Sequence, residues 1–139
     1  MNVVKLEYQM PQFDETNVEY LLTSLGFNPN VYFFAMTKPS LLSRAIIGNV
    51  MEFSSRYCIV CFSEAEINLV MLSRLDNKKV TEIYKINRSE ISNLKLSNLW
   101  FCYKLKIKAS DSNLKFQVFK RFGKFSKVKN SLEVFKQLY

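Results

Sequence analysis

Apolar and polar positions alternate with a period of two over the late part of this chain, most clearly from Phe101 to Lys108, and recur at helical spacing near its two ends. The first helical stretch has Val18, Leu21, Leu22 and Leu25 at i, i+3, i+4 and i+7. Thr16 and Glu19 stand at capping-box spacing ahead of it, and Gly26 supplies a stop. Asn28-Pro29-Asn30 then marks a turn, and Val31–Met36 reads as a strand from its aromatic and β-branched content. Pro39 before and Gly48 after Leu41–Ile47 suit a short helix.

From Arg56 onward, strands and turns follow at short intervals. The predicted strands are Arg56–Phe62, Glu66–Leu72, Val80–Ile86, Ile91–Leu96, Trp100–Ala109 and Leu114–Lys120. Ser63-Glu64-Ala65 makes a tight hairpin between the first two. Counting Val31–Met36, this gives seven strands. A closing helix follows, in which Ser126 is the expected cap and Phe125, Val128, Leu132, Phe135 and Leu138 form one stripe. The expected class is mostly β (α+β): a seven-stranded antiparallel barrel over residues 31–122, capped by a helix in 123–139 and preceded by an N-terminal helical extension in 1–30.

This order of strands and closing helix resembles the pleckstrin-homology-like barrel. The carrying residues are Tyr57–Leu72, Ile91–Lys95, Tyr103–Lys108, Leu114–Lys120 and the closing helix, with Leu41–Asn49 ahead of them. They are similar to the bacterial members of that superfamily, in particular an uncharacterised group from low-GC Gram-positive bacteria. The resemblance implies a fold and a binding role, but no agreed activity. The phosphoinositide-binding bases of eukaryotic relatives, on the loop after the first strand, are matched only by Lys38 and Arg44.

Composition supports a packed core, with 48% hydrophobic and 14% aromatic residues in 139. The longest apolar runs are Val31–Met36 and Tyr57–Phe62, far short of the ~20 residues of a spanning helix. Lys5 is not followed by an apolar signal region, so a cytoplasmic location is expected. Cys58 and Cys61 form a C-x-x-C, but on an apolar strand their side chains point to opposite faces. Only Cys102 remains as a further soft ligand, so buried thiols are expected rather than a zinc or redox pair.

Histidine is absent, which removes the commonest general base and every Ser-His or Cys-His arrangement. Gly26, Gly48 and Gly123 are isolated, so neither a P-loop nor a dinucleotide fingerprint can be assembled. Glu64 and Glu66 flank a turn, where acidic residues are ordinary. The chain is therefore expected to be a non-enzyme without a cofactor or metal.

Charge is segregated. Residues 1–94 hold nine basic and ten acidic side chains, net −1; residues 95–139 hold eleven basic side chains against Asp111 and Glu133, net +9. Within the basic part, alternation sets Phe101, Tyr103, Leu105 and Ile107 on one face and Lys104, Lys106 and Lys108 on the other. The neighbouring strands add Lys95 and Lys115, and Trp100 and Phe119 share their parity. Lysine is ordinary on the wet face of a half-exposed sheet, and it also guards sheet edges. The same seven residues form a candidate binding surface for an anionic partner.

The functional expectation is a binding or adaptor module for a protein segment or acidic surface, with a homodimer contact through the N-terminal helix as one use. Two alternatives use the same lysines: single-stranded nucleic acid, with Trp100 and Phe119 as stacking platforms, and peripheral binding to anionic lipid. Only five of the twenty bases are arginine, and no RNA-recognition signature is present.

Overall fold

A computed structural model of the chain describes residues 1–38 and 55–139. The expected helix over Leu41–Ile47, and Arg44 with it, lies outside the described residues. Eight strands are present: β1 (Asn2–Gln9), β2 (Tyr32–Lys38), β3 (Tyr57–Phe62), β4 (Glu66–Leu72), β5 (Lys79–Asn87), β6 (Ile91–Asn98), β7 (Cys102–Ala109) and β8 (Ser112–Phe119). Among the described residues two α-helices accompany them, α1 (Glu15–Ser24) and α2 (Val128–Leu138). A 3-10 turn, Arg88–Glu90, links β5 to β6.

The strands form one antiparallel sheet in the order β1-β5-β4-β3-β2-β8-β7-β6. Two hairpin series, β2 to β5 and β6 to β8, are joined by pairing of β2 with β8, where Ala35 faces Val118 and Thr37 faces Phe116. The architecture is mostly β, with helices added, as expected. The seven-stranded closed barrel is not what the described residues form: among them there are eight strands, and β1 and β6 remain as unjoined edges. The extra strand lies in the 1–30 segment expected to be wholly helical. Val4, Leu6, Tyr8 and Met10 alternate there with Lys5, Glu7 and Gln9, and β1 takes the outer edge of β5.

The middle of the sheet is buried on both faces, which is why β3 reads as a continuous apolar run and β4 is apolar but for Glu66 and Asn68. On one face Phe135 of α2 meets Phe33 and Phe62, with ring centroids 5.1 and 5.0 Å away. Val128, Leu132 and Phe135 are the buried apolar positions of α2. On the other face Phe34 packs among Phe13, Phe122 and Phe125, at 5.7, 4.3 and 4.6 Å. Phe125 thus precedes the closing helix and covers the opposite side of β2, so it is not part of the helix stripe.

Both helix starts differ from the sequence expectation. At α1, Asp14 rather than Thr16 is the cap, and its Oδ1 accepts the Asn17 amide at 2.9 Å. The expected stop holds: Gly26 has φ +82°, and the amides of Gly26 and Phe27 reach back to the carbonyls of Thr23 and Leu22. At α2, Lys127 occupies the cap position without a side-chain cap bond. Ser126 instead donates to Glu15 Oε1 at 2.7 Å, and Lys127 pairs with Glu19 at 2.5 Å. These two contacts tie the start of α2 to α1.

Cys58, Cys61 and Cys102 are free thiols, all buried. Burial pushes the Cys58 thiol up to about 12 and raises that of Cys61 further. Among the described residues, no group of three or more Cys, Asp and Glu side chains is placed to hold a metal ion, and no helix is long and apolar enough to cross a membrane.

Candidate anion-binding face

β7 carries the alternation into three dimensions. Leu105, Ile107 and Ala109 are buried, while Lys104, Lys106 and Lys108 are exposed. On β8, Leu114, Phe116 and Val118 are buried beneath half-exposed Lys115 and Gln117. Strand register then sets the lysines in a line. Lys106 pairs with Lys95 of β6 on one side and with Lys115 of β8 on the other. The Cα register continues to Lys38 of β2, which pairs with Lys115. Lys104 stands one outward position along β7, opposite Ser97 and Gln117, and Lys108 stands opposite Asn93 and Asn113.

Like charges in directly paired positions repel. The effect centres on Lys106, whose ammonium is held below the ordinary lysine range by Lys104 first, then Lys115, with slight burial and Lys95 adding to it. Four side-chain cations elsewhere have carboxylate partners among the described residues: Lys5 and Arg56 share Glu82, Lys127 takes Glu19, and Lys136 takes Glu133. Among the described residues, Lys95, Lys104, Lys106, Lys108 and Lys115 form no ion pair. The row is a focused positive field without an internal counter-charge.

The two aromatic candidates separate. Trp100 is 95% exposed, but it stands at the tip of the β6–β7 hairpin rather than on β7. Phe119 is half-buried and its ring lies 5.9 Å from Tyr57 and 5.4 Å from Phe122, inside an aromatic cluster. Phe101, expected inward, is 70% exposed. The Leu99 amide closes the turn onto Cys102 O at 2.9 Å, so residues 99–101 leave the strand before its alternation begins. Tyr103 is half-buried, its hydroxyl bound by Lys136 Nζ at 2.5 Å.

Two further features were not singled out from sequence. Lys120 Nζ donates to Asn98 Oδ1 at 2.6 Å, to Leu99 O at 2.9 Å and to Trp100 O at 3.4 Å, and so fastens the hairpin tip. The second is a hollow of about 310 Å³ between β6 and α2, lined by Leu94, Leu96, Tyr103, Phe135 and Tyr139 among others. Neither feature is local in sequence. Pairing of β8 with β7 brings Lys120 to the hairpin tip, and the pairing of β6 with β7 beside the closing helix forms the hollow.

β6 pairs with β7 on one side, and among the described residues no strand takes its other edge. That edge separates two chemistries. Lys95 and the lysine row lie on the outer face, whereas Leu94 and Leu96 turn toward the hollow under α2. No protein-family model matches this chain, and no curated protein or solved structure does.

Proposed function

We propose that the chain is a non-catalytic binding module on a pleckstrin-homology-like scaffold, and that its ligand is an extended, acidic protein segment added along β6. The scaffold reading is supported by the order β5-β4-β3-β2-β8-β7-β6 with a closing helix, to which β1 is an addition. The observation that carries the ligand reading is the open edge of β6 between a lysine row and the hollow under α2, whose lining includes Leu94, Leu96 and Phe135 beside Asn98 and Lys136. A strand added there gains main-chain hydrogen bonds, while its alternate side chains meet different surroundings. The residue paired with Lys95 extends the line Lys95–Lys106–Lys115 and, if acidic, supplies the missing counter-charge. Its two neighbours point toward Leu94, Leu96 and Phe135 and are best apolar. Single-stranded nucleic acid on the same lysines would want stacking rings beside them, but Trp100 stands at the hairpin tip and Phe119 is engaged with Tyr57 and Phe122.

The test uses a labelled peptide alternating glutamate with leucine, beside a peptide of the same composition with the alternation broken. The alternating peptide should bind in a salt-sensitive way and perturb amide NMR signals along β6. Lys95→Glu/Lys106→Glu and Leu96→Asp should each weaken it. Equal binding of both peptides, or signal changes that avoid β6, would refute the reading.

A further inference from the structure

We infer that the tip of the β6–β7 hairpin, Leu99-Trp100-Phe101, inserts into the interfacial layer of an anionic phospholipid bilayer. The three residues are 43, 95 and 70% exposed. A single exposed apolar side chain is unremarkable, and Leu75, 98% exposed between Arg74 and Asp76, is an example. Three in succession at a hairpin tip are different, because together they make one contiguous projecting apolar surface.

Part of the backbone beneath them is already satisfied from within. A segment entering lipid must have its carbonyls and amides satisfied from within. Lys120 occupies the Leu99 and Trp100 carbonyls, and the Leu99 amide is bound to Cys102 O. The tip therefore holds its shape without water at these groups. Indole and phenyl side chains favour the headgroup boundary of a bilayer.

Charge around the tip selects the kind of bilayer. Lys104 lines the same hollow as Leu99 and Phe101, and Arg121 follows Lys120 at the end of β8. Asp111 is the one acidic residue between Ile91 and Leu132, and it lies in the β7–β8 turn at the far end of those strands. Basic side chains at an anionic surface add to apolar insertion, and their contribution is screened by salt. This anchor is independent of the β6 edge: it requires neither the Lys95–Lys106–Lys115 line nor the α2 hollow.

Trp100 is the only tryptophan in the chain, so its fluorescence reports the tip alone. The intact protein is mixed with vesicles of phosphatidylcholine, or of phosphatidylcholine with phosphatidylglycerol, and both pelleting and Trp100 emission are followed. On the anionic vesicles alone, at low salt, the protein should pellet, its emission should shift to the blue, and brominated lipid should quench it. Leu99→Ser/Phe101→Ser keeps the reporter and should lose most of the pelleting at an unchanged melting temperature. Lys104→Gln/Arg121→Gln should weaken pelleting by about five-fold per charge. Absence of pelleting, or pelleting with Trp100 still quenched by aqueous iodide, would overturn the inference. A blue shift that depends on protein concentration without vesicles would likewise overturn it, assigning the tip to contact between copies of the chain.

Discussion

Arg56 and Glu82 form a buried ion pair between the start of β3 and the middle of β5, with their side chains 9 and 7% exposed. Arg56 also donates to Thr81 Oγ1 at 3.3 Å, while Glu82 takes a second cation, Lys5, at 3.3 Å. Among the described residues Arg56 Nε has no hydrogen-bond partner, so within them the guanidinium depends on the remaining contacts. Burial pushes the Glu82 carboxyl up, but the Arg56 bond and charge, helped by Lys5, outweigh it and leave the group below the usual carboxylate range.

Glu82→Ala leaves a buried guanidinium without its counter-ion and should cost about 3 kcal/mol. Arg56→Met/Glu82→Leu removes both charges and should recover much of that loss in urea unfolding. Because the folded carboxyl titrates below its unfolded value, the pair stabilises the fold above the ordinary glutamate range and ceases to do so as pH falls through the lower, folded value. As pH falls below the ordinary glutamate range, the parent should therefore lose more stability than Glu82→Gln does.

Phe135 is fully buried and meets Phe33, Phe62 and Tyr139, with ring centroids 5.0 to 5.1 Å away for Phe33, Phe62 and Tyr139 alike. Phe135→Ala should cost about 3–5 kcal/mol. Val134→Ala, on the exposed side of the same helix, should stay within about 0.5 kcal/mol of the parent. Equal melting temperatures for the two variants would show that α2 does not seal this side of the sheet.

The thiols should be slow to react. Cys58 and Cys61 are inaccessible, and burial keeps both protonated at neutral pH. A colourless thiol reagent that releases a coloured product should give almost no signal from native protein and three equivalents after denaturation. Fast labelling of both C-x-x-C thiols in native protein would contradict the placement of β3.

Elements with a strong local signal were legible in the sequence. β4 runs over Glu66–Leu72 as expected, the Ser63–Ala65 turn joins it to β3, and the lysines of β7 share the outward face. β1 carried a readable alternation from Val4 to Met10, but the helical spacing beyond it dominated the reading of the first 30 residues. Caps were harder because competing candidates sit two residues apart, and the nearer tertiary partner decides between them. Ser126 meets Glu15, so it does not cap α2. Tertiary register mattered most at the candidate surface. Alternation puts Lys106 outward, but only the strand pairing shows Lys95 and Lys115 beside it. The hairpin tip was misread because strand pattern continued on paper through Phe101, whereas the turn bond from Leu99 to Cys102 ends it.

The lysine row also bears on folding itself. Three ammonium groups brought level by β6, β7 and β8 are far apart in an unfolded chain, so forming this part of the sheet concentrates charge against itself. Mobile ions relieve that opposition, and a bound polyanion relieves it more fully, because it favours the assembled row over the dispersed lysines. Occupancy and foldedness are thereby linked: the ligand that neutralises Lys106 also tightens the pairing of the three strands that display it.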